Sequence, residues 1–118
     1  MKEMITFEPP DTVVLVLRGQ LVAEEIDDMF EKWGNQYGPD KKVKILVDCS
    51  ELAEIPPKAR EALRKGGLKY PMSRLATFGA STKIRIMAGL IVKMVPNVDT
   101  SIFVKTEEEA RAWMAKGK

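Results

Sequence analysis

No histidine occurs in the chain, and cysteine occurs once, at Cys49. Without histidine the commonest general base and metal ligand is missing, and a lone cysteine with no imidazole beside it makes a poor nucleophile. Triads of the Ser-His-Asp or Cys-His type are excluded. So is an internal disulfide, which argues for a reducing compartment, the cytoplasm, rather than secretion. The N-terminus carries Glu3 and strand-like residues where a secretory leader would be basic and then apolar, and no apolar run approaches the roughly 18 residues of a membrane span. Neither GxGxxG nor GxxxxGK[ST] is present; Gly79-Ala80-Ser81-Thr82-Lys83 has similar letters in another order. No cofactor and no metal are therefore expected, and the chain reads as a binding module rather than an enzyme.

What is present is an ordinary globular composition. With 118 residues, 45% apolar and 31% charged, one core and a single domain over 1–118 are expected. The formal net charge is only +2, but it is unevenly spread. Residues 1–55 hold six basic and twelve acidic side chains, whereas residues 56–95 hold nine basic ones against a single acid, Glu61. A net of −6 followed by +8 marks a basic surface built from the middle of the chain.

Periodicity orders the elements. Met4 to Phe7 predicts a first strand, stopped by the turn Pro9-Pro10-Asp11. Thr12 to Leu17 is apolar and β-branched, as a strand covered on both faces would be, and Gly19 closes it. Val22, Ile26, Met29, Phe30 and Trp33 fall on one face of a helix ended by Gly34 and Gly38-Pro39. Val43 to Val47 predicts a second buried strand, ending in Asp48-Cys49-Ser50. Pro56-Pro57 opens a basic helix that runs to Gly66-Gly67, with Ala59, Ala62 and Leu63 inward. Leu75 to Phe78 is a strand; Ser81 or Thr82 caps a helix to about Met94, stopped by Pro96; Ile102 to Val104 is a last strand. Thr106 to Glu109 is a capping box, after which Ala110, Trp113 and Met114 face inward. The fold class is α/β: order β-β-α-β-α-β-α-β-α, about five strands and four helices, with a mostly parallel, mixed sheet whose first strand is antiparallel.

This order, together with Val47-Asp48-Cys49-Ser50-Glu51-Leu52 running into a helix, resembles the STAS domain family, in particular its SpoIIAA-like branch related to lipid-binding Sec14-type folds. The resemblance implies a small regulatory or binding module whose third helix moves, opening an apolar cleft or a membrane-facing surface. Relatives that antagonise anti-sigma factors carry a phosphorylatable serine at the start of the second helix. Here that stretch is Pro56-Pro57-Lys58-Ala59, which cannot accept phosphate, so the phosphoserine switch is expected to be missing.

Two regions remain as candidate sites. Ligands of open parallel sheets gather beyond the carboxyl ends of strands, which points to Arg18-Gly19-Gln20, Asp48-Cys49-Ser50, Gly79-Ala80-Ser81 and Lys105-Thr106. For Asp48 and Ser50 the plainer alternative is turn chemistry and backbone hydrogen bonding at a strand end, and for Cys49 a small buried hydrophobe. The third helix gives the sharper signal. Ile84, Ile86, Met87, Ala88, Leu90, Ile91, Val92 and Met94 leave only Lys83, Arg85, Gly89 and Lys93 for water, whereas a helix covering a sheet needs one apolar stripe. Either the helix is simply buried or its surplus meets something else. Candidate ligand- or partner-binding residues are Asp48, Ser50, Lys58, Ser81, Thr82, Lys83, Arg85, Ile86, Leu90 and Met94. The expected partner is a protein or a small apolar or anionic ligand, with an anionic membrane surface as the alternative. The acidic first half would suit that basic surface in a homodimer. Nucleic acid ranks lower, because the basic segment has only Tyr70 and Phe78 as aromatics and no reader motif.

Overall fold

β-Branched and aliphatic runs alternate with amphipathic stretches, and each run becomes a strand of one sheet. The computed structural model describes residues 4–116; Glu3 and the other terminal residues lie outside them. The elements are β1 (Ile5–Glu8), β2 (Thr12–Gln20), α1 (Ala23–Tyr37), β3 (Val43–Glu54), α2 (Pro57–Lys69), β4 (Met72–Phe78), α3 (Thr82–Lys93), β5 (Val98–Val104) and α4 (Glu107–Lys116). The sheet order is β1-β2-β3-β4-β5, with β1 antiparallel to β2 and every other pair parallel.

Helices α1, α2 and α3 cover one face of the sheet, where Val13, Leu15, Val43, Ile45 and Val47 meet Ile26, Met29, Trp33, Ala59 and Ile84. Helix α4 covers the other face alone, packing Ala110 and Met114 on Leu46, Ala76 and Phe78. Its capping box is formed as expected: Glu109 N donates to Thr106 Oγ1 and Thr106 N to Glu109 Oε1, each at 3.2 Å. Arg111 ties α4 to β1 through two hydrogen bonds to Glu8, at 3.0 and 2.9 Å, and holds the Glu8 carboxyl below its usual range. Arg74 donates to the Trp113 carbonyl at 2.8 Å and stacks over its ring.

Several boundaries differ from the sequence reading. Strand β2 is not closed by Gly19, which sits inside it at φ 59°, and only its odd-numbered apolar residues, Val13, Leu15 and Leu17, are buried. Strand β3 does not end at Val47: it runs seven residues further alongside β2, with register shifts after Val16 and after Gly19. The Asp48-Cys49-Ser50 segment is therefore a bulged strand and not a turn. Asp48 Oδ1 accepts from Ser50 N at 2.9 Å and from Ser50 Oγ at 2.6 Å, pinning the extra residue locally. Val22 does not face inward but caps α1 and is exposed, while α1 continues through Gly34 to Tyr37. Strands β4 and β5 begin several residues earlier than periodicity indicates.

The Gly66-Gly67 pair lies within α2 instead of ending it. A Cβ on Gly66 would overlap ring carbons Cδ2, Cε2 and Cζ of Phe30, and one on Gly34 the hydroxyl of Tyr70. These glycines let α1 and α2 close over an aromatic cluster. In it Trp33 lies 5.4 Å from Phe30 and 5.3 Å from Tyr70, centroid to centroid.

Candidate functional site

Helix α3 starts at an N-cap, Ser81, whose Oγ accepts from Ile84 N at 3.3 Å; Thr82 is the first helical residue. Of its twelve residues only Ile84 is fully buried. Met87, Ala88, Ile91 and Val92 are half-buried on the side toward the sheet, and Ile86, Leu90 and Met94 stand outward at 62%, 57% and 57% exposure. Simple burial of this helix is thereby ruled out in the single chain. The outward three are spaced by four and form one stripe, with Lys83 and Lys93 at its ends.

Beneath α3 the sheet and helices leave an apolar cavity of about 110 Å³. Its floor includes Leu15, Ile45, Val47, Leu75 and Thr77 of the sheet, its back wall Phe30 and Trp33 of α1, and its roof Ala88, Ile91 and Val92 of α3. No lysine, arginine, aspartate or glutamate lines it. Cys49 does, and burial together with the Asp48 charge pushes its thiol up to about 12, so it stays protonated at neutral pH.

The candidate residues from the sequence are not brought into one site. Thr82, Arg85 and Ile86 share a shallow depression of about 250 Å³ with Phe103, whose ring centroid is 5.9 Å from the Arg85 guanidinium. Leu90 and Met94 line a groove of about 290 Å³ between α2 and α3, rimmed by Arg60, Glu61 and Arg64. Asp48 and Ser50 bind each other, and Gly79 passes so close that a Cβ there would lie 2.9 Å from Ser50 Cβ. Lys58 is exposed in the first turn of α2, and Lys83 at the start of α3. None of these residues lines the cavity. The cavity lies on the face of the sheet under α3, apart from the strand ends at which the sequence places a small-molecule site. Part of the charge asymmetry is also met within the chain, where Asp27 and Glu31 of α1 face Lys65 and Lys69 of α2 across one groove.

A family model described as SpoIIAA-like matches residues 12–115. The chain belongs to the SpoIIAA-like family. Among solved structures it is similar to a protein from Shewanella loihica PV-4, described as a member of the DUF3478 family with a SpoIIAA-like fold. The TM-score is 0.73 at 20% identity, covering 92% of this chain and 89% of that one. The search of curated proteins gave no match. As a SpoIIAA-like domain the chain is a STAS-type α/β module. Among its described residues there is no group of ligating side chains suited to a metal ion, and no helix is long and apolar enough to cross a membrane.

In this SpoIIAA-like chain the cavity lining was missed by sequence reasoning, since its walls come from seven elements and each residue reads singly as core. The one available signal was α3 itself, whose inner half supplies small Ala88 where a larger side chain would fill the space.

Proposed function

We propose that this chain is a non-catalytic binding module whose working element is α3, and that it takes a small apolar ligand into the cavity between α3 and the sheet. The observation that carries this reading is the cavity. Its lining residues are apolar apart from Thr77, Cys49 and the amphipathic Trp33, and well-packed interiors leave few voids this large. An engineered apolar cavity of roughly 150 Å³ in another protein stays dry and binds benzene. Helix α3 is the wall that yields most readily, because it has one fully buried side chain where α1 has four. The protonated Cys49 and the missing histidine support binding without chemistry.

Ala88→Leu tests this by placing part of the roof inside the cavity. Filling a void of this kind is expected to raise stability by about 1 kcal/mol in urea denaturation, while benzene binding, followed by NMR titration, falls at least tenfold. Undiminished benzene binding in a folded Ala88→Leu protein, or no binding by the wild type, would sink the reading.

The outward stripe favours a second reading, docking on an anionic membrane. Ile86, Leu90 and Met94 would enter the interface while Lys83 and Lys93 meet headgroups. Wild-type protein is then expected to bind phosphatidylserine vesicles but not neutral ones, more weakly as salt rises. Leu90→Asp should reduce that binding at least tenfold, given about 2 kcal/mol for a buried leucine. No vesicle binding at low salt removes this reading; loss of a captured protein with the same substitution would instead assign the stripe to a protein partner.

A further inference from the structure

Trp33 is 1% exposed and is part of the cavity wall. Its ring is fixed between Phe30 and Tyr70, with interplanar angles of 25° and 24°. Among the described residues its Nε1 is the buried side-chain nitrogen or oxygen without a hydrogen-bond partner. Indole nitrogen only donates, and buried tryptophans ordinarily find an acceptor for it, because a stranded donor has given up water for nothing. A phenyl ring would stack in the same place without that cost.

Resting on the cavity reading, we infer that the ligand is an otherwise apolar molecule carrying one uncharged hydrogen-bond acceptor, a carbonyl or ether oxygen, which pairs with Trp33 Nε1. An acceptor is needed because of the unpartnered donor. It is uncharged because no basic side chain lines the cavity, so a carboxylate would be buried without a counter-charge. Water is the competing partner. A buried water is held by two to four polar groups, a number that Trp33 reaches only with both the Thr77 hydroxyl and the weakly bonding Cys49 thiol, so the indole signal of the free protein is the control for water. A ligand that brings its own oxygen on a hydrocarbon frame satisfies the indole and fills the remaining wall.

Cyclopentanone and methylenecyclopentane test this as a pair, being near-isosteric and differing in whether the exocyclic atom accepts a hydrogen bond. The chain has two tryptophans, and Trp113 lies on the opposite face of the sheet, so its indole signal is an internal control. In ¹H–¹⁵N spectra the Trp33 indole proton should move downfield with cyclopentanone and not with methylenecyclopentane, the Trp113 signal staying in place. The ketone should bind about five- to tenfold more tightly, the worth of one neutral hydrogen bond. Trp33→Phe should abolish that preference and keep methylenecyclopentane binding. Equal affinities for the two, or a Trp33 indole proton already bonded to a long-lived water in the free protein, overturns the inference while leaving the cavity reading intact. Failure of both probes to perturb cavity residues overturns the two together.

Discussion

Trp33→Ala is expected to cost the fold about 3–5 kcal/mol, the range for removing a large aromatic side chain from a core. The indole is fully buried in the main hydrophobic cluster. It contacts two other rings, each pair adding roughly 0.5–1.5 kcal/mol beyond the area it buries. It also borders a cavity, so truncation does not create an isolated hole that neighbours can close; it joins the lost indole volume to about 110 Å³ already empty. Relief of the stranded Nε1 offsets about 1–3 kcal/mol of this, which places the outcome toward the lower end. Against a total stability of about 5–15 kcal/mol, the urea midpoint should fall steeply with the slope little changed. Trp33→Phe keeps a ring in the stack and removes the unpaired donor, so its loss should be much smaller. A Trp33→Ala protein within about 1 kcal/mol of wild type would contradict the packing of α1 described above.

Gly66→Ala should also destabilise, by about 1–3 kcal/mol, although helix propensity alone predicts a gain of nearly 1 kcal/mol. The sign turns on one contact. An added Cβ would fall within the Phe30 ring, and Phe30 cannot withdraw because Trp33 and Tyr70 lie against it at 5.4 and 5.9 Å. Either α2 lifts from α1 or the stack breaks. Gly89 of α3 supplies the control, since nothing lies within 4 Å of a Cβ there; Gly89→Ala should stabilise by about 0.5–1 kcal/mol. A gain from Gly66→Ala equal to that from Gly89→Ala would rule out the close approach of the two helices.

The element order was legible because short continuous apolar runs give way to helix-spaced apolar patterns four times along the chain, and the antiparallel first strand followed from a short connection through Pro9-Pro10. Boundaries were less so. Asp48-Cys49-Ser50 has the composition of a turn, yet it continues as strand because β2 runs beside it and the Asp48–Ser50 hydrogen bonds absorb an extra residue. Gly66-Gly67 has the composition of a helix stop, yet its smallness serves contact with Phe30 and Val95. In both places a tertiary neighbour overrides a local preference. The α3 stripe could be anticipated, since an apolar circumference larger than one sheet contact requires must leave some of it outside. The cavity could not, because Leu17, Leu52, Leu75 and Ala88 enclose space only after three crossovers have brought them together.

Strand order along the sheet is the same as strand order along the chain. Each strand therefore hydrogen-bonds to the one made just before it, so no strand waits for a partner made much later. Loop closures stay short for a parallel sheet, which lowers contact order and favours fast folding. During synthesis the sheet can extend outward one crossover at a time, exposing a single growing edge. β5 completes that edge, and only then can α4 cover Leu46, Ala76 and Phe78. A released chain truncated before β5 would accordingly hold a helix-covered sheet with one bare apolar face, and it is at that stage that the domain is most open to aggregation or to a chaperone.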